Sequence, residues 1–254
     1  MPVQPFRRLL RRVLIAPLFC WMAAAGPAGA QGPSGQVRIL VGFPAGGTID
    51  AVTRQIAENM RGTLGVPVVV ENPTGAGGQL AAQALKRAAP DGHTLMVAPD
   101  HTLVVLPETL KSPGFDVAAD FVPVGMVADY AGAVALGAGA GVADVPAWIA
   151  KVKASGRPAT VGVASPGSKP VFALHALSQQ VGATFTAVPY RGSVPLVQDL
   201  TGGHLDAGIT ALGDFTEYHK AGRLKVAAVT GERRTGLLPE VPTAKEQGYP
   251  LQMN

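Results

Sequence analysis

Val37 to Met60 reads VRILVGFPAGGTIDAVTRQIAENM. A short apolar run (Val37, Ile39, Leu40, Val41) leads into Pro44-Ala45-Gly46-Gly47-Thr48, and Ile49, Val52, Ile56, Met60 and Leu64 then recur at helical spacing. The order is strand, glycine turn, helix. Such a turn presents free backbone N–H groups at a helix N-terminus, where the helix dipole favours an anion. A second unit of the same design is TVGVASPGSKPVFALHALSQQV, Thr160 to Val181. Two such turns in one chain predict an anionic ligand held between two lobes.

Working outward, Gly65 is placed to stop the first helix, and Val66 to Val70 reads as a buried strand. The glycine-rich turn Gly75-Ala76-Gly77-Gly78 follows, then an alanine-rich helix (Leu80 to Ala89), the turn Pro90-Asp91-Gly92 and a strand (Thr94 to Ala98). Alternation of strands and helices predicts a mostly parallel sheet with helices on its faces. The second half repeats the order: strand Thr160–Ala164, helix to Val181, Gly182, strand Phe185–Val188, short helix Leu196–Leu200, turn Gly202-Gly203-His204 and strand Leu205–Thr210. Between the halves, Phe121 to Leu136 reads as strands crossing from lobe to lobe, and Asp144-Val145-Pro146 opens a helix with Asp144 as its N-cap. Arg223 to Thr230 reads as a last strand returning to the first lobe. The predicted division is a leader at 1–30, a first lobe of 36–128 plus 230–254, and a second lobe of 129–229. Trp148, Phe172 and Phe185 fall on apolar faces and are expected in the core.

The chain begins with Arg7, Arg8, Arg11 and Arg12, then an apolar stretch from Val13 to about Ala25 and small residues at Ala28-Gly29-Ala30. This is the pattern of a secretory signal peptide cleaved after Ala30, with a periplasmic destination. The apolar stretch is short for a membrane span. The formal charge of +4 resides in those four arginines; without residues 1–30 the chain has 17 basic and 17 acidic residues. A neutral mature chain argues against nucleic acid or a membrane surface as partner. Cys20, the one cysteine, also lies in the leader, which excludes disulfides and thiol chemistry from the rest.

Seven segments then come in one order: VGFPAGGTIDAVTR (41–54), VVVENPTGAGG (68–78), AAPDGHTLMVA (88–98), FVPVGMVA (121–128), VPYRGSVPLVQDLTGGHLDA (188–207), GRLKVAAVT (222–230) and LPEVPTAKEQGYP (238–250). Together they resemble the extracytoplasmic substrate-binding receptors of tripartite tricarboxylate transporters, the Bug-type receptors, over residues 36–250. The resemblance implies an α/β fold of the type II periplasmic-binding-protein kind, with two α/β lobes, two crossing strands and the ligand in the cleft between them. It implies a monomeric receptor that captures a small organic acid or related polar metabolite and delivers it to the membrane permease subunits of such a transporter, with no cofactor. It also implies that the loops 44–48 and 165–168 approach the ligand from opposite lobes through backbone N–H groups. Three departures stand out. The second loop is about two residues shorter than usual, Thr210 stands where an aspartate is common, and the chain ends at Asn254 where family members continue. The last predicts an apolar face of the first lobe left uncovered.

The candidate ligand-binding residues are Phe43, Pro44, Ala45, Gly46, Gly47, Thr48 and Asp50 from the first lobe, joined by Asp100, His101 and Thr102 at the carboxyl end of a strand, the usual ligand edge of an open parallel sheet. Ser165, Pro166, Gly167, Ser168, Lys169, Arg191 and Thr210 complete the set. Asp50 either stabilises the helix start or grips an amine or hydroxyl of the ligand. Arg191 either reaches the ligand, pairs with an acid or faces solvent, with Lys169 as the alternative cation. Gly75 to Gly78 lacks the third glycine of a dinucleotide fingerprint and reads as a turn. His93, His101, His175, His204 and His219 make no metal-binding spacing, Ser165-Pro166-Gly167-Ser168 is not a nucleophile elbow, and no catalytic or metal-binding residue is assigned. A secreted α/β hydrolase or transferase acting through Ser165 or Ser168 is the competing reading from another class. A non-functional remnant of the receptor is the third.

Overall fold

The structure, a computed structural model, describes residues 34–249 and 251. The leader, its cleavage site and Cys20 lie outside them. Everything below concerns one unit, Gly35–Asn254.

Two sheets form. In the first, β1 (Val37–Val41) lies between β2 (Val68–Glu71) and β3 (Thr94–Val97), all parallel, with Ile39 opposite Val70 on one side and Leu95 on the other. Helix α1 (Thr48–Leu64) packs its inner stripe on this sheet; Val37, Ile39, Ala57 and Val68 form the core there. Gly65 ends α1 in the left-handed conformation (φ 68°), its N–H donating to Arg61 O, as the glycine stop predicts. Helix α2 (Gln79–Arg87) precedes β3.

The second sheet has five strands in the order β6-β5-β7-β4-β8: β6 Phe185–Pro189, β5 Ala159–Val163, β7 Ala207–Ala211, β4 Gly132–Gly137 and β8 Leu224–Val229. β5 is parallel to β6 and β7, whereas β4 is antiparallel to both its neighbours. Helices α5 (Val145–Ser155), α6 (Lys169–Val181), α7 (Ser193–Thr201) and α8 (Leu212–Lys220) accompany it; α3 (Leu106–Thr109) and α4 (Val117–Asp120) are single turns that follow β3. Asp144 caps α5 by accepting from Ala147 N at 2.7 Å. Trp148 and Phe185 are buried with ring centroids 4.9 Å apart, but Phe172 is 56% exposed and is not core.

Three expectations are corrected. Residues 121–131 form no strand, and strand geometry starts only at Gly132, where β7 and β8 supply partners on both sides. β8 belongs to the second sheet rather than returning to the first. The described part of 230–251 follows it there: Ala244 N donates to Val229 O at 2.8 Å, Gln247 binds both Val145 N and Ala227 O, and Leu238, Val241, Ala244 and Leu251 join the cores around that sheet. The cause is apolar burial: these side chains find covered positions on the second sheet. Helix α8 follows β7 directly, with Leu212, Phe215 and Thr216 as its buried stripe at helical spacing.

Candidate functional site

The two lobes meet over a cleft lined from both sides. The first lobe contributes Phe43, Pro44, Gly47, Thr48, Ile49, Asp50, Pro99, Asp100 and His101, with Tyr130 from the connection and Gly132 from the start of β4. The second contributes Ala164, Ser165, Ser168, Lys169, Pro170, Ser193, Ile209, Thr210, Ala211 and Asp214. Its free volume, about 130 Å³ as traced by a water-sized sphere, is room for on the order of ten waters or one small metabolite.

The first loop is held by a buried carboxylate. Asp50 accepts from Gly46 N at 2.9 Å, Arg54 Nε at 2.8 Å and Asn72 Nδ2 at 3.0 Å, and the same Asn72 amide donates to Phe43 O at 2.9 Å. Burial pushes the Asp50 carboxyl up, but the bonds from Arg54, Gly46 N–H and Asn72 outweigh it and hold the group below the usual carboxylate range. Asp50 therefore shapes the loop, and its bonding capacity goes to the protein.

The other end of that loop is joined to the second lobe. Thr48 N and Thr48 Oγ1 both donate to Asp214 Oδ1, at 2.9 and 2.8 Å, and Thr210 Oγ1 donates to Asp214 Oδ2 at 2.9 Å. A carboxylate of the chain itself thus sits at the N-terminus of α1, where dipole and orphan N–H groups favour negative charge. A second cross-cleft link is the ion pair between Lys169 on α6 and Asp100 after β3. The lobes are in close contact between these links. A Cβ added to Gly192, whose φ is +104°, would fall 2.4 Å from Pro44 Cδ.

Asp100, His101 and Thr102 begin a π-helical turn (His101–Val105) instead of a loop. Asp100 accepts from His101 N at 2.8 Å, and Thr102 Oγ1 donates to Gly77 O at 2.8 Å. The glycine-rich turn 75–78 is the seat for these two side chains: Gly78 has φ +94° and a Cβ there would meet Thr102 Oγ1 at 2.5 Å. His101 is 92% buried, and neither ring nitrogen has a partner among the described residues. Burial lowers its pKa against the opposing pull of Asp100, so the imidazole is neutral at pH 7. Tyr130 is pushed up to about 12 by burial and by the charges of Asp100, Asp214 and Asp129, so its phenol remains a donor.

Of the predicted residues, the structure brings Phe43, Pro44, Gly47, Thr48, Asp50, Asp100, His101, Ser165, Ser168, Lys169 and Thr210 to the cleft wall. Ala45, Gly46, Thr102, Pro166, Gly167 and Arg191 are not on it. Arg191 is exposed, and the cation in the cleft is Lys169. Sequence reasoning missed Tyr130, Ser193 and above all Asp214. The available signal was an acid, Asp214, in the first turn of a helix that begins directly after β7, the strand that carries Thr210. Ser165 Oγ donates to Ala164 O at 2.8 Å and Ser168 Oγ to Ser165 O at 2.7 Å; among the described residues neither hydroxyl is bonded to a histidine or carboxylate.

Residues 52–254 match the family model described as the tripartite tricarboxylate transporter family receptor. Protein BugT of Bordetella pertussis strain Tohama I is 34% identical over 244 residues, covering 93% of this chain and 74% of BugT. The solved structure of the periplasmic binding protein BugD superposes with a TM-score of 0.80 at 31% identity, covering 87% of this chain and 74% of BugD. Rpa4515 of R. palustris, solved with adipate, gives a TM-score of 0.82 at 29% identity over 87% of this chain and 74% of its own. With its two α/β lobes and shared cleft, this chain belongs to the receptor family of the tripartite tricarboxylate transporters.

Proposed function

We propose that the chain is a periplasmic receptor that captures a small carboxylate-type metabolite between its lobes and delivers it to the membrane permease of a tripartite tricarboxylate-type transporter. One observation carries the reading: the start of α6 opens into a cleft to which the loop of α1 also contributes, with the lobes already touching around a space of metabolite size. The amides of Ser168 and Lys169, both residues of the cleft wall, make no hydrogen bond among the described residues. They are the donors for the ligand carboxylate. The amides of Gly46 and Thr48, by contrast, are engaged by Asp50 and Asp214. Adipate in the related Rpa4515 supports a small carboxylic acid as the ligand class. Binding without turnover agrees with two serine hydroxyls that have no base beside them. The division into a first lobe around β1–β3 and a second around β4–β8, acting as a monomer, belongs to the same reading.

A thermal-shift screen of di- and tricarboxylates, amino acids and nicotinate-like acids tests it. A ligand present at a hundredfold excess over its Kd stabilises the folded state by about 2.7 kcal/mol, a rise of roughly 5–10 °C for a chain of this size. No rise with any of these acids, in a chain with a cooperative melt, overturns the reading.

A further inference from the structure

Three aspartates line the cleft, and two are compensated by a cation: Asp50 by Arg54 and Asp100 by Lys169. Asp214 is not. Its donors are all neutral, the Thr48 amide and hydroxyl on Oδ1 and the Thr210 hydroxyl on Oδ2, and no cation lies within ion-pair distance of it among the described residues. A carboxylate accepts about four hydrogen bonds. Three are in place, which leaves one acceptor position, on Oδ2, at the wall of the cleft.

His101 is an independent sign that a polar ligand completes this space. It lines the same cleft, 92% buried, with both ring nitrogens unpartnered. A buried polar group without a partner is costly, and a ligand that supplies one removes the cost. Because the imidazole is neutral, it does not offset the charge on Asp214. The cleft therefore has one anion-receptive place, the free amides at the start of α6, and separately one uncompensated anion.

Resting on the receptor reading above, we propose that Asp214 is the specificity-determining residue of the cleft: it selects a ligand that combines one carboxylate with a hydrogen-bond-donating group, an ammonium foremost, and it rejects a second carboxylate. A donor on the ligand takes the open lone pair of Oδ2, and an ammonium adds charge attraction to the bond. A second carboxylate in that position meets like charge. The ligand class is thus amino carboxylates, with hydroxy and amide monocarboxylates next. In this the chain differs from Rpa4515, which was solved with a dicarboxylate.

The test is calorimetric titration of the chain with three compounds of matched length: 4-aminobutyrate, 4-hydroxybutyrate and glutarate. The expected order of affinity is amine, hydroxyl, carboxylate, with Kd for 4-aminobutyrate at least tenfold below that for glutarate, and with Asp214→Asn abolishing the preference. Glutarate binding as tightly as 4-aminobutyrate to the unsubstituted chain overturns the inference while leaving the receptor reading intact. A preference that survives Asp214→Asn in a cooperatively melting variant overturns it equally. Asp214→Ser, whose hydroxyl can still meet Thr210, serves if the asparagine variant does not fold. If none of the three binds, the best ligand of the wider acid screen decides: a dicarboxylate overturns the inference and a donor-bearing monocarboxylate supports it. Failure of every acid in that screen removes the receptor reading itself.

Discussion

At the scale of single residues, Asp50 and His101, both buried at the cleft wall, are in opposite circumstances. Asp50 has three donors, and removing its carboxylate leaves the Gly46 amide and the Asn72 amide short of a partner. Asp50→Ala is expected to cost about 2–3 kcal/mol, read as a lower urea midpoint at unchanged m-value. Because the folded-state pKa of Asp50 is depressed, its contribution is complete above the ordinary carboxylate range near pH 4 and is lost as pH falls through the folded value. His101 has no side-chain partner among the described residues, and burial lowers its pKa below 6.5. The unfolded chain then binds a proton at this residue before the folded chain does. Stability is expected to fall as pH drops below about 6.5, the loss being complete once pH is under the folded pKa. Urea midpoints at pH 7.5 and 5.5 check this; His101→Gln should reduce the difference between them.

At the scale of elements, the decisive feature is how the turn before α1 meets the turn before α7. Gly192 touches Pro44 across the cleft so closely that a Cβ would sit 2.4 Å from the proline ring. The neighbour is a rigid ring, so it cannot swing aside. Gly192→Ala acts as a wedge between lobes and is expected to weaken ligand binding about tenfold or more, with an added backbone strain of roughly 1–3 kcal/mol from φ +104°. Titration of the variant with whichever acid binds the unsubstituted chain reads the effect. Unchanged affinity would mean that the lobes need not close this far.

At the scale of the whole molecule, Val122, Val124 and Met126 stand out at 88%, 87% and 88% exposed, with Val127 beside them at 55%. Burying one such side chain is worth about 1.5–3 kcal/mol, so this run is a contiguous apolar surface of the kind that binds apolar dyes and promotes association. The run lies in the connection between the two sheets. The double substitution Val124→Lys with Met126→Glu is expected to lower dye fluorescence and raise solubility without moving the melting temperature by more than a few degrees. A fall of 10 °C or more would show that these side chains are packed.

Local chemistry was enough to read the strand–turn–helix units. Apolar runs, the left-handed glycine at Gly65 and the Asp144 cap act within a few residues, so β1, α1, α5 and β5 were legible and the fold class followed from their order. Much of the cleft wall was legible for the same reason, since Pro44 to Thr48 and Ser165 to Lys169 are turns at helix starts. Which residues face each other was not legible, because it depends on pairings that span long stretches of chain. Thr48 and Asp214 are 166 positions apart, and Asp100 and Lys169, 69 positions apart, pair across the cleft. The sequence by itself determined that this protein has two α/β lobes with anion-receptive turns. The tertiary structure alone decided that the chain's own aspartates occupy the first turn, that Lys169 rather than Arg191 is the cation among the described cleft residues, and that the described part of 230–251 packs on the second sheet. It did so because hydrogen-bond partners and apolar cover are settled by proximity in space, which spacing along the chain does not encode.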